Sequence, residues 1–262
     1  MAGEKVLIIP DAHAHPQFDN TRFSWLGQLI AEERPDTLVC LGDFADMPSL
    51  SGYDKGKKSF EGRRYKKDVD AARDAMSMMM GPTEVYNEGL RLRRKQQYKP
   101  KKVMLLGNHE DRINRAINDH AELDGTIGMN DLGYADAGWE VIPYQDSVNV
   151  AGFQMSHHFA SGVGGRPISG MNVAATMTRL LLKSAVIGHN HVFDWCERTR
   201  PDGTKVVGIS AGCYTHPKFV ESWNKGTFHM YWRGVIVLDD AKDGYYGAMR
   251  CVTQDHLKKL YG

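Results

Sequence analysis

Five short polar clusters carry the residue types that could do chemistry: Asp11-Ala12-His13, Gly42-Asp43-Phe44-Ala45-Asp46, Gly107-Asn108-His109-Glu110, His157-His158 and Gly188-His189-Asn190-His191. Carboxylate oxygen, amide oxygen and imidazole nitrogen are the donors that suit divalent first-row metal ions. Seven or eight of them in one cleft exceed what a single ion can use, so the set implies two metals. Taken singly each cluster is weak, because an isolated His or Asp at a strand end is more often a hydrogen-bonded loop residue than a ligand.

The elements that must position these clusters are short apolar runs. Lys5 to Ile9 reads as a strand, Arg22 to Glu33 as a helix ended by Pro35, and Thr37 to Leu41 as a second strand, which makes a β-α-β opening. The runs are nearly continuous rather than alternating, as expected for strands buried on both faces, so a layered α/β architecture follows. Val103 to Leu106 repeats the pattern before a helical Glu110 to His120. Between them lies a long insert, residues 48–102, with two expected helices, Arg64 to Met80 and Thr83 to Gln97, separated by Pro82. After Trp139 the chain turns β-rich, with strands expected at Trp139 to Pro143, Ser147 to Val150, Phe153 to His157, Ala185 to Ile187, Val206 to Ser210, Met230 to Leu238 and Tyr245 to Val252. One helix, Asn172 to Leu182, interrupts them, and Thr253 to Leu260 could form another. No repeat or linker divides the chain, which reads as a single domain over 1–262.

In order and type the five clusters resemble the calcineurin-like metallophosphoesterase family, whose pattern is D-x-H, G-D-x-x-D, G-N-H-[D/E], H and G-H-x-H. The match runs from Asp11 to His191. The resemblance implies a four-layer α/β/β/α sandwich and hydrolysis of phosphate esters by a hydroxide bridging two metals. Carried across residue by residue, it implies that Asp11, His13 and His191 bind one metal, that Asn108, His157 and His189 bind the other, and that Asp43 bridges them. His109 would protonate the leaving oxygen or stabilise the transition state. Asp46, Glu110 and Asp111 would orient an imidazole or a metal ligand, or else cap helices. His157 and His158 are adjacent, and side chains alternate along a strand, so only one should face the metals; His157 is favoured, and a one-residue shift would reverse the choice. The segments Ser59 to Tyr65 and His158 to Val163 look most like bacteriophage-encoded members of the family. Manganese is the first expectation for the metal, with iron, zinc, nickel or cobalt also compatible with these ligands.

Composition bounds the rest. The chain has 262 residues, 42% apolar and 25% charged, which excludes collagen-like, coiled-coil and wholly disordered classes. Its formal charge of +1 hides a separation: residues 55–102 hold 15 Lys or Arg against 6 acids. Such a segment beside a phosphate-hydrolysing cleft would draw nucleic acid by electrostatic steering and counterion release, or it is simply a solvated helix pair. A phosphodiesterase or nuclease acting on nucleic acid or nucleotides is the expectation. A nucleotide or protein phosphatase is the alternative, and the retained ligands count against a non-catalytic interaction module. Gly162 to Arg166 could bring backbone amides and the Arg166 guanidinium to a phosphate, or form a plain flexible loop. His216 could line the cleft, whereas His15, His120, His229 and His256 match no family element. Four scattered cysteines read as reduced thiols. Nothing in Met1 to Pro10 resembles a signal peptide and no apolar run is long enough to span a membrane, so a cytoplasmic place is expected, the host cytoplasm for a phage-encoded chain. Oligomeric state is not readable.

Overall fold

A computed structural model of the chain describes residues 3–220 and 226–262; Met1 and Ala2, at the head of the N-terminal segment, lie outside the described residues. The opening forms as expected: β1 (Glu4–Ile9), α1 (Thr21–Glu33) and β2 (Thr37–Cys40), with Arg34 in a left-handed conformation ending the helix before Pro35. A long helix, α2 (Tyr65–Leu92), leads to β3 (Lys101–Leu105), then α3 (Arg112–Asp119) and β4 (Glu140–Ile142). The second half supplies β5 (Val148–Val150), β6 (Phe153–Ser156), α4 (Val173–Leu181), β7 (Ala185–Ile187), β8 (Phe193–Thr199) and β9 (Lys205–Ala211). It closes with β10 (Gly234–Ala241), β11 (Ala248–Thr253) and α5 (Gln254–Tyr261).

The strands form two mixed sheets, ordered β11-β10-β1-β2-β3-β4 and β5-β6-β7-β9-β8. Alternation along each strand decides what lies between them. Val6, Ile8, Val39, Val103 and Leu105 of the first sheet meet Phe153, Met155, Val186, Val207 and Ile209 of the second in one buried layer. The intervening Leu7, Ile9, Leu38, Cys40 and Met104 face Phe23, Leu26 and Ile30 of α1, Ala72 and Met79 of α2, and Leu257 of α5. On the far side, Ala185 and Ile187 pack against Val173 and Met177 of α4. The result is the four-layer α/β/β/α sandwich.

Three expectations change. The insert contains one 28-residue helix rather than two, with Pro82 inside it. Pro82 donates no N–H and its ring crowds the preceding turn, a disturbance of about 3 kcal/mol in an unsupported helix. Here the ring lies against Gly27 of α1, so closely that a Cβ there would stand 2.9 Å from Pro82 Cδ. Tertiary packing therefore carries the helix through the proline. The helix α2 runs from the Ser49 end, where Ser49 N–H donates to Asp68, toward Tyr98, whose hydroxyl donates to Pro35 O just before β2. At about 1.5 Å per residue it spans about 42 Å, with Lys66 and Lys67 at its start and Arg91 in its last turn. Finally β8 was absent from the sequence reading, since an edge strand carrying Asp194, Glu197 and Arg198 lacks an apolar run, and β10 begins only at Gly234, after a helical turn at Phe228–Met230.

Asp68 gives a stability test within α2. The residue is 1% exposed, with Oδ2 accepting from Ser49 N and Oδ1 buried without a partner. Burial pushes its carboxyl up to about 6, against the Ser49 hydrogen bond. A raised acid pKa means that the folded chain holds the proton longer, so this group's contribution falls as pH rises from about 4 to about 6 and stays low above. Asp68→Asn is therefore expected to gain on the order of 2 kcal/mol in urea unfolding at pH 7.5, an advantage that shrinks toward pH 4. A difference independent of pH would refute the assignment.

Candidate metal centre

Strands β1, β2 and β3 are mutually parallel, as are β6 and β7, so five strand ends open on one edge of the sandwich. Backbone bonds zip the loops together there: His13 N donates to Asp43 O at 2.8 Å, Ala14 N to Phe44 O at 2.7 Å, and Gly188 N to His157 O at 3.2 Å. The glycines of the third and fifth clusters are demanded by close approach, since a Cβ at Gly107 would strike the Asp43 carboxylate and one at Gly188 the Asp11 carboxylate. His13, Asp43, His189 and His191 all adopt left-handed backbone, with φ from 45° to 65°. Such conformations each cost about 1–3 kcal/mol in non-glycine residues and concentrate where surrounding structure forces a side chain inward.

The geometry brings Asp11, His13 and His191 into one group: His191 Nε2 lies 3.1 Å from Asp11 Oδ2 and 3.3 Å from His13 Nε2. Beside it, His157 Nε2 lies 3.0 Å from Asn108 Oδ1, 3.2 Å from His189 Nδ1 and 3.4 Å from Asp43 Oδ2. Asp43 stands between the two groups, its Oδ2 also 3.8 Å from His13 Nε2. His157 Nδ1 donates to Leu41 O at 2.9 Å, and His13 Nδ1 donates to Asp46 Oδ1 at 2.7 Å. Each bond fixes the ring so that the Nε2 lone pair points inward. Lone pairs of imidazoles, an amide oxygen and carboxylates thus converge within hydrogen-bonding range, an arrangement that a cation satisfies. The donor set fits divalent ions.

Charge states follow the same logic. Burial would raise the Asp11 and Asp43 carboxyls, but His157 and the other facing imidazoles hold both below the usual carboxylate range. Burial, followed by the neighbouring His157, pushes His158 and His189 down to about 4, leaving both rings neutral near pH 7 with a lone pair to offer. For His109 burial is outweighed by Asp43 and Asp46, and the ring is pushed up to about 9 with Arg112 opposing. His109 Nδ1 lies 2.9 Å from Asp46 O and 3.0 Å from Asp46 Oδ1, while Nε2 lies 3.1 Å from Arg112 Nη2 and 3.9 Å from Asp43 Oδ2.

The remaining expected residues divide. Asp46 touches both His13 and His109. Glu110, fully buried, accepts from the backbone N–H groups of Asp43, Ala45 and Gly107 at 2.8–2.9 Å, so it braces the loops that carry Asp43 and Asn108 rather than an imidazole. Asp111 stands at the N-terminal end of α3, where its carboxylate accepts from the Asn114 side chain and pairs with Arg115 but makes no capping bond to the helix backbone. Arg166 is exposed, in a loop closed by Ser161 N donating to its carbonyl, and no described contact joins its side chain to the metal-centre residues. His216 stacks on Phe18 at 4.7 Å and lies 3.5 Å from Asp19. Sequence reasoning passed over His15, 3.6 Å from Asp46, and Arg112, whose signal was its position one helical turn after His109. It also left out Tyr231, which packs edge-on to His191 at 4.6 Å.

Among the described residues no helix is long and apolar enough to cross a membrane, and the four cysteines are unpaired. No curated protein matches the chain. A solved crystal structure is similar over 97% of this chain and 99% of its own, at 13% identity and a TM-score of 0.42. The model of the calcineurin-like phosphoesterase family matches residues 4–204. That span opens with β1 and takes in every strand end that delivers a donor, so the chain belongs to the calcineurin-like phosphoesterase family and is a metal-dependent phosphoesterase.

Proposed function

We propose that the protein is a binuclear phosphodiesterase or nuclease acting on nucleic acid or nucleotides. The observation that carries the binuclear reading is the pair of converging donor groups with the Asp43 carboxylate between them. Asp11, His13 and His191 would hold one divalent ion and Asn108, His157 and His189 the other, with the Asp43 carboxylate available to both. Bound there, the two ions would supply Lewis acidity that neutralises phosphate charge and activates water near neutral pH. Manganese is the proposed activator, with iron, zinc, nickel and cobalt as its competitors.

The chain's own groups divide the remaining work. Asp46 orients His13 and His109, and Glu110 holds the Asp43 backbone. His109 presents Nε2 beside Asp43 and gives the proton to the leaving oxygen. What supports a polyanionic substrate is the segment after Asp46. Lys55, Lys57, Lys58, Arg64, Lys66 and Lys67 are exposed there, and Arg63 Nη1 anchors the segment to Pro48 O at 2.9 Å. The half-buried Phe18 and His216, stacked at 4.7 Å, add an aromatic surface on the His13 side that suits a base.

The test is manganese-dependent hydrolysis of bis(p-nitrophenyl) phosphate beside p-nitrophenyl phosphate, followed by single- and double-stranded DNA on the same preparation. Diester and DNA turnover that falls steeply with salt is the expected result. Monoester turnover alone would replace this reading by a phosphatase.

A further inference from the structure

His158 is the side chain in the centre that the five-cluster pattern leaves without a task. Strand alternation would turn it away from His157, but β6 ends at Ser156, so both histidines lie beyond the strand. The turn is pinned by Ser156 Oγ, which donates to His158 O at 2.9 Å, and by Gly188 N, which donates to His157 O. As a result one ring nitrogen from each of His157, His158 and His189 lies within 4.8 Å of the others. The His158 ring is 5.3 Å from that of His189 and 5.8 Å from that of His157, with Tyr144 packed behind it at 5.5 Å. Only 6% of the residue is exposed, and its Nδ1 is buried with no hydrogen-bond partner. Leaving such a group unsatisfied costs about 1–3 kcal/mol, and a histidine present for packing alone would be expected to find a donor or acceptor.

We infer that His158 is a third imidazole ligand at the position formed by Asn108, His157 and His189, which makes the two metal positions chemically unequal. The inference rests on the binuclear reading and goes beyond it. One position is rich in nitrogen, with three imidazoles; the other pairs His13 and His191 with the Asp11 carboxylate. Imidazole suits zinc, iron and nickel, whereas carboxylate-bearing sets suit manganese. The tri-imidazole position therefore selects zinc over manganese, and the Asp11 position discriminates less.

The test uses the full chain stripped of metal, titrated with Zn2+ alone and with Mn2+ alone, in the parent and in His158→Ala and His158→Gln. The parent is expected to bind two ions, the first zinc being much tighter than the first manganese. Both variants are expected to lose at least about 10- to 100-fold in affinity for the first zinc while changing little toward manganese, since removing even a group that only supports a ligand costs that much. X-ray absorption at the zinc edge of the parent carrying a single zinc gives a measurement that needs no variant: three imidazoles are expected. A parent that binds two ions, with variants of unchanged zinc affinity or with only two imidazoles at the zinc, overturns the His158 assignment alone. A parent that binds no ion overturns the binuclear reading and this one together.

Discussion

Asp43→Asn is expected to remove hydrolysis by at least about 1,000-fold together with most of the bound metal. The substitution is a clean one. Asp43 has φ +48°, a left-handed conformation that Asn accepts more readily than other side chains, so the loop keeps its shape. The amide oxygen can still take the hydrogen bond that His109 N donates to Oδ1 at 2.8 Å. What changes is the atom facing His157 and His13: a carboxylate oxygen becomes an N–H donor, and its two protons occupy the space where a cation would sit. Metal content by mass spectrometry and kcat/KM on the same sample check the prediction. Full metal content with near-normal turnover would refute the bridging role.

His109→Ala is expected to act differently. The N–H that holds Asp43 belongs to the backbone and survives, and Asp46 keeps its bond to His13, so the donor groups stay in place. Turnover should fall about 100-fold or more while metal content is retained, as for loss of a general acid. Loss of metal with unchanged turnover per bound ion would instead make His109 a positioning residue for the centre.

The parts of this molecule that could be read from sequence are those governed by short-range physics. Val6 to Ile9, Leu38 to Leu41 and Val103 to Leu106 announce buried parallel strands through unbroken apolar runs, and the polar residues that follow them must then share an edge. What escaped depends on partners far along the chain. Pro82 should stop a helix, and only Gly27, 55 positions earlier, shows why it does not. The polar edge strand β8 has no signal apart from its pairing with β9. His157 and His158 were assigned opposite directions by a rule that holds inside a strand, and β6 had already ended. Glu110 was expected to orient an imidazole or a metal ligand; which of the two depends on the loop contacts, where its carboxylate accepts from three backbone N–H groups, that of Asp43 among them.

The donors come from both halves of the sandwich: Asp11, His13, Asp43 and Asn108 follow strands of the six-stranded sheet, while His157, His189 and His191 follow strands of the five-stranded one. Ions held between them would rivet two sheets that otherwise meet mainly through an apolar layer, with His157 Nδ1 donating to Leu41 O at this edge. Their binding free energy is then also free energy against the sheets sliding or parting. The same rivets would tune the cleft, because any shear between the sheets changes the spacing of the two donor groups. Rigidity of the hydrophobic layer formed by Val6, Ile8, Phe153 and Val186, which touches no substrate, thus becomes a determinant of catalytic geometry.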